Sequence, residues 1–374
     1  MGLLKGTWSF LRYHVVGKTP EKFNDFIDER LKQYAFSSLA RENLEKNTGW
    51  TSLENVLDTD FTYAKYKCGE HLIFCLRSDR RPIPPSLLKL KILEAEKKKL
   101  AEGDKKKLYR HEREEIKERL QLELQTKALN VPSFYELCWS PEKNSLIFGS
   151  LSPKVREEFE KYFKESFQLT VLPFLPWEST PAEEKKATTT AAADRDLVNQ
   201  HLAKSDATTK PTFWGREFLT WLWFKSEERG GIVMVPGKYE VEIIFLQRLV
   251  LASGDGEYAE TVVCQGLHSD MKEAREALRQ GKKIKEARLS LTNDANKWEF
   301  TFKADYFQYQ SLKLPATTDS EDDPDREGQN MERIYLIEAV SETMDRLFAA
   351  FSQLRLSPQW DNEELPRMAK WLSQ

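Results

Sequence analysis

The residues best equipped for chemistry lie between Arg77 and Arg110, in the run RSDRRPIPPSLLKLKILEAEKKKLAEGDKKKLYR. Arg77, Arg80, Arg81, Lys89, Lys91, Lys97, Lys98, Lys99, Lys105, Lys106, Lys107 and Arg110 place twelve cations there against five carboxylates, in a chain of formal net charge −3. Charge of one sign gathered in one place attracts polyanions, and nucleic acid is the commonest of these. A solvated helical hairpin kept soluble by lysine carries the same signature, so the run alone leaves both readings open. Lys282, Lys283 and Lys285, just ahead of the stretch ARLSLTN, form a second basic group that offers charge from elsewhere.

Other chemistries leave little trace. There is no G-x-x-x-x-G-K-[ST] loop, and Gly281-Lys282-Lys283 reads as a helix stop followed by lysines. The five histidines show no metal-ligand spacing, and neither G-x-S-x-G nor a Cys/His signature is present. Asp58, Asp60 and Glu70 are carboxylates of the kind that hold magnesium in a nuclease, but they form no motif among many acidic neighbours. Cys68, Cys75, Cys138 and Cys264 are few and widely spaced, and read as buried small apolar residues. No metal and no cofactor is expected. In FWGREFLTWLWFK, Phe218, Trp221, Leu222 and Trp223 could stack on bases, yet aromatic residues at helical spacing fit a buried anchoring helix better.

These residues must be held by ordinary elements. A length of 374 residues, 31% of them charged and 40% hydrophobic, describes a globular protein of two or three domains. No apolar run approaches the roughly 18 residues of a membrane span, and the start lacks a secretory core, so the expected location is cytoplasmic with no membrane partner. Patterning predicts a strand within 5–16, a helix over 20–35 opened by Pro20, a turn at Thr48-Gly49-Trp50, and strands at 62–67 and 71–77. Two lysine-rich helices follow over 86–100 and 106–127, with Gly103-Asp104 as their turn. A hairpin over 134–149, a helix from Pro153 and a strand in LTVLPFLPW come next. Strands at 231–235, 239–251 and 258–266, a helix over 269–280, the pair ARLSLTN and 298–302, and a terminal helix over 331–354 complete the pattern.

The fold class expected is therefore α+β: antiparallel-sheet modules with packed helices and a protruding basic helical hairpin. The expected domains are an N-terminal α+β module at 1–82, a basic arm at 83–130, a second α/β module at 131–177, a mobile linker at 178–210 and a C-terminal α+β module at 211–374. An acidic loop spans 317–330.

Several stretches then carry a likeness in their order and spacing. Gly49-Trp50, GEHLIFCLR at 69–77, Ile83-Pro84-Pro85 before the arm, Trp139, Leu172-Pro173, and the later segments GEYAETVVCQGLHSDMKEAREALRQGKKIKEARLSLTND and WEFTFKADYFQYQSLKL resemble the bacterial recombination-associated RdgC family. That resemblance implies a non-enzymatic protein whose horseshoe-shaped subunits close head to head and tail to tail into a dimeric ring. Duplex DNA would pass through it with little sequence preference. It further implies a nucleoid-associated role that restrains recombinase loading in recombination and fork repair.

The partners so implied are double-stranded DNA, single-stranded DNA as a further ligand, and a second copy of the chain. A metal-dependent exonuclease is the alternative. The DNA-contact candidates are Arg77, Arg80, Arg81, Lys89, Lys91, Lys97, Lys98, Lys99, Lys282, Lys283 and Lys285. Like-charged lysines make poor self-contacts, so Leu129, Val131 and Phe134 are the candidates for the subunit contact. The chain departs from the family pattern where a basic pair would align with Val263-Cys264-Gln265, leaving only Gln265.

Overall fold

A computed structural model of the protein describes residues 2–37, 46–61, 65–103, 107–177, 212–235, 239–253, 260–266, 272–294, 296–315 and 326–373. In chain order the elements begin β1 (Trp8–Val16), α1 (Phe23–Gln33), β2 (Lys46–Ser52), β3 (Lys67–Cys68), β4 (His71–Arg80), α2 (Pro85–Gly103) and α3 (Arg110–Lys127). Next come β5 (Val131–Ser140), β6 (Ser145–Phe148), α4 (Pro153–Phe167), β7 (Thr170–Pro173), α5 (Thr212–Glu227), β8 (Ile232–Val235) and β9 (Tyr239–Ala252). The chain closes with β10 (Thr261–Gln265), α6 (Lys272–Arg279), β11 (Lys283–Asn293), β12 (Asn296–Lys303), β13 (Gln308–Lys313), α7 (Arg326–Arg355) and α8 (Leu365–Ser373). This is the α+β class with antiparallel pairing that the alternation predicts.

The residues divide into two compact units, one of Met1–Lys18, Cys68–Leu72 and Cys138–Gln374, the other of Thr19–Lys67 and Ile73–Leu137. In the first, the strand order runs β10-β9-β11-β12-β13-β1-β6, with β7 also on β1 and β8 also on β9. Alternation decides which face is dry. Leu289 and Leu291 of β11, Phe300 and Phe302 of β12 and Tyr309 of β13 are buried. Helix α5 joins this core through Phe218, whose ring lies 5.8 Å from Phe307, 5.3 Å from Phe348 and 5.7 Å from Phe351. Phe218, Trp221, Leu222 and Trp223 are all buried, so the aromatic-rich helix is an anchor and not a stacking surface.

One polar cluster ties α7 to the sheet of this unit. Glu338 Oε1 lies 2.9 Å from His71 Nε2, and Lys143 Nζ donates to Glu338 Oε2 at 2.7 Å. Burial pushes the Glu338 carboxyl up, but the hydrogen bonds from His71 and Lys143 outweigh it and hold the group below its ordinary value. A carboxyl depressed on folding lends stability above its unfolded pKa, and that stability is lost as pH falls through the folded one. Thermal melts followed from about pH 7 to about pH 3 should therefore show an acid loss, setting in below about 4.3, that Glu338→Gln makes shallower. Parallel curves for the two proteins would remove Glu338 as a contributor.

In the second unit β2 pairs antiparallel with β4, and β5 lies on the other side of β4. Helix α1 buries Ile27 and Leu31. Thr48-Gly49-Trp50, expected as a turn, is instead the middle of β2, with Gly49 opposite Arg77. The glycine is there because the chain leaving α1 crosses it closely. Phe36 N–H donates to the Trp50 carbonyl at 2.8 Å and Trp50 N–H to the Tyr34 carbonyl at 3.0 Å. A Cβ on Gly49 would stand 2.3 Å from Phe36 Cα. Gly49→Ala should thus cost about 3 kcal/mol, since backbone and not a pliable side chain has to move. Urea denaturation showing a cost below about 1 kcal/mol would mean that the crossing segment yields easily.

Other boundaries moved. Helix α1 begins at Phe23, three residues after Pro20, and among the described residues of the strand expected at 62–67 only Lys67 is strand, continuing into Cys68 as β3, which pairs with β4. Strand β13 and helix α8 had no strong pattern. The first has a left-handed residue, Ser311, inside it, and the second is short, with Met368 and Trp371 as its buried side chains. The expected linker at 178–210 lies outside the described residues, as does most of the acidic loop.

Candidate nucleic-acid interface

Helices α2 and α3 carry most of the basic run. Leu, Lys, Glu and Gln are good helix formers, and three prolines at 82, 84 and 85 end β4 and start α2. The helices run antiparallel, since Glu96 lies 3.5 Å from Arg113 and Lys99 lies 3.9 Å from Glu112. Ile116 and Leu108 are buried along their seam. The charge is uneven. Helix α2 has five lysines against three glutamates, whereas α3 balances five basic residues with five glutamates. The surplus belongs to α2 and the connection after it.

Position by position, the cations differ in freedom. Arg77 is held: Nε and Nη2 donate to Asp79 at 2.8 Å each, and its guanidinium lies 4.0 Å from the Phe36 ring centre and 5.7 Å from that of Phe134. Arg80 and Arg81 are half-buried, and Arg81 Nε donates to Asn130 Oδ1 at 2.7 Å. Lys91 pairs with Glu94 at 2.8 Å, and Lys98 lies 3.8 Å from Glu102 with 78% of its side chain exposed. Lys89, Lys97 and Lys107 are exposed and have no ion pair among the described residues. Exposed pairs such as Lys98 with Glu102 are worth at most about 1 kcal/mol, so a phosphate can take the lysine over. Lys105 and Lys106 lie outside the described residues.

The second basic group is less open than its sequence suggests. Lys282 is 8% exposed, with Nζ 3.1 Å from Glu260, because Gly281 turns the backbone at φ +86 before β11. Lys283 opens β11 half-buried, and Lys285 lies 3.9 Å from Asp305, which already takes two hydrogen bonds from Arg216. The same sheet holds cations that the sequence reading passed over. Arg288, Ser290 and Thr292 alternate with the buried leucines of β11, and opposite them stand Thr301, Glu299 and Lys297 of β12. Lys297 and, on β13, Lys313 are exposed without an ion pair among the described residues. The alternation in ARLSLTN and NKWEFTFK is the signal that would have found them.

For a subunit contact, Leu129 is 85% exposed, Val131 50% and Phe134 40%, and Leu90, Leu93 and Leu122 of α2 and α3 are also exposed.

The comparisons with known proteins bear on this arrangement. Residues 13–191 match the family described as "Putative exonuclease, RdgC". Over that span the chain is RdgC-like. No curated protein matches it. The RdgC-like span runs from β1 past β7 and holds α2, α3, Leu129, Val131 and Phe134, whereas Lys282, Lys283 and Lys285 lie beyond it.

The family description names an exonuclease, so the carboxylates of the RdgC-like span matter. Asp58 Oδ1 accepts the backbone N–H of Asp60 at 3.0 Å and of Phe61 at 3.3 Å, which makes it a turn-forming residue. Among the described residues no three His, Cys, Asp or Glu side chains gather into a group that could hold a metal ion. All four cysteines are buried, and burial, with Glu136 nearby, pushes the Cys75 thiol up to about 12. A thiol so raised is a poor nucleophile at neutral pH. No helix among the described residues is long and apolar enough to cross a membrane.

Proposed function

We propose that this RdgC-like chain is a non-sequence-specific DNA-binding protein. As a homodimer it encircles duplex DNA and acts in recombination and replication-fork repair by limiting recombinase access. The observation that carries the reading is the set of exposed lysines with no ion pair among the described residues, Lys89, Lys97 and Lys107, on α2 and the connection after it, in a chain of net charge −3. Lysines of this kind neutralise phosphates and position a protein without reading bases. Titrating end-labelled duplexes of unrelated sequence with the protein, with magnesium or manganese present, should give equal affinities and intact DNA. The family's own description favours a second reading, a metal-dependent exonuclease. Degradation abolished by a single carboxylate substitution would replace the first reading with the second.

The homodimer has its own test. A two-fold contact must be self-complementary, and exposed aliphatic residues meet that need better than lysines. In solution the mass should be that of a dimer, and Val131→Asp, with Leu129→Asp beside it, should shift it to the monomer with the fold intact. A monomeric wild-type protein overturns the encircling arrangement.

A further inference from the structure

Arg110, Arg113 and Lys117 of α3 are spaced by three and four residues, so they share one helix face over about 10 Å. With Leu108 and Glu114, and with Ile92 and Glu96 of α2, they line an open groove of about 380 Å³. Its apolar part is the half-buried Ile92 with the buried Leu108. Both arginines already hold carboxylates, since Arg110 lies 3.1 Å from Glu114 and Arg113 lies 3.5 Å from Glu96. Lys117 is exposed with no ion pair among the described residues.

We propose that this groove takes an acidic peptide segment of a partner protein, with one apolar side chain against Ile92 and Leu108 and carboxylates on Arg110, Arg113 and Lys117. The inference stands apart from the DNA-binding reading, because its ligand is a protein. Charge complementarity is the first argument. Three cations meet two carboxylates in the groove, next to a run that holds twelve cations against five carboxylates, so an acidic segment is drawn there. Arginine forks suit carboxylates, and clusters of them are a recurring means of reading acidic motifs. Glu96 and Glu114 occupy the places that a partner's carboxylates would take. The Arg110 and Glu114 side chains are 93% and 59% exposed, and a pair so open to water is weak enough to exchange. The mixed lining separates a peptide from a strand of phosphates. Glu96 and Glu114 repel continuous negative charge, whereas they accept the N–H groups that a peptide backbone carries along its length. The apolar part sets the last requirement. Ile92 and Leu108 favour a side chain that leaves water, and the chain's own acidic run, TTDSEDDPDREGQN at 317–330, has no large apolar residue to offer. The occupant therefore belongs to another protein.

The experiment measures fluorescence anisotropy of labelled peptides with the full chain: Asp-Asp-Leu-Phe-Asp-Asp, the equally charged Asp-Asp-Ser-Ser-Asp-Asp, and the reversed Lys-Lys-Leu-Phe-Lys-Lys. Wild type should bind the first at least about tenfold more tightly than the second, the value of one large apolar side chain leaving water. It should bind the reversed peptide at least about tenfold more weakly than the first. Arg113→Glu with Lys117→Glu should lower affinity for the first peptide at least about tenfold and make the reversed one the better ligand. Ile92→Ser, which alters no charge, should erase the preference for the first peptide over the second, with circular dichroism confirming the fold. If Ile92→Ser unfolds, the charge-reversed variant, changed only at exposed positions, decides the question alone. Equal binding of the two acidic peptides by wild type overturns the proposal and leaves a groove that collects polyanions by charge. Undiminished binding of the first peptide by the charge-reversed variant moves the contact elsewhere on the chain and overturns the assignment. Failure of wild type to bind any of the peptides overturns it as well, whatever the chain does with DNA.

Discussion

Asp345→Ala should destabilise the protein by about 3 kcal/mol. Arg12 sits on β1 with its side chain 9% exposed, and its Nη1 and Nη2 donate to the two Asp345 oxygens on α7, both at 2.6 Å. The guanidinium also lies 4.1 Å from the Phe174 ring centre, and its Nε has no partner among the described residues. Removing the aspartate leaves a buried cation that cannot lose its proton, which costs about 3–5 kcal/mol in a dry site. The Asp345 side chain is 30% exposed, so water can reach part of the pair and the lower end of that range applies. The asymmetry is a second expectation. Arg12→Met leaves an aspartate that can turn to water, and should cost less than Asp345→Ala. The double replacement Arg12→Met with Asp345→Leu should recover much of the loss, because well-packed apolar residues often match a buried pair. Urea denaturation of the four proteins decides it, and a cost below about 1 kcal/mol for Asp345→Ala would mean that the pair is solvated.

The parts of the fold that were legible are those whose signal is local. Leu289 and Leu291 alternating with Arg288, Ser290 and Thr292 announce a strand, although Ser290 is buried along with the leucines, and Phe218, Trp221 and Leu222 at helical spacing announce an anchored helix. Gly49 was misread because its reason is not local. A Gly-Trp pair looks like a turn until Phe36 is known to pass within bonding distance of β2. The basic run was legible as a concentration of charge, but the pairing of its members was not. Arg77 and Asp79 share a strand face and could have been paired from spacing two, which removes Arg77 from the free cations. Lys99 meeting Glu112 requires two helices to be antiparallel in a particular register, and no composition shows that. Arg113 and Lys117 escaped notice for the opposite reason: α3 is neutral overall, which hides a cationic stripe at 110, 113 and 117.

These distinctions set the salt dependence expected of the proposed DNA binding. Lys89, Lys97 and Lys107 have no ion pair among the described residues, and Lys98 is held only by a long contact to Glu102, so four lysines per subunit are ready to meet phosphates. In the proposed homodimer that doubles to eight, and each contributes about −0.9 to the slope of log K against log salt, for a slope of roughly −7. Affinity for duplex DNA should then fall about 10³–10⁵-fold between roughly 50 and 200 mM salt. Reversing Lys89, Lys97, Lys98 and Lys107 to Glu should flatten the slope and weaken binding to all sequences alike, since none of these side chains reads a base. Arg77→Ala should behave differently, lowering thermal stability through its lost contacts with Asp79 and Phe36 while leaving the slope nearly unchanged. Comparing the two variants separates a cation that binds DNA from one that holds a strand. If the lysine reversal leaves both affinity and slope intact, the phosphate contacts belong instead to the exposed lysines of β12 and β13, and Lys297→Glu with Lys313→Glu becomes the variant that must flatten the slope.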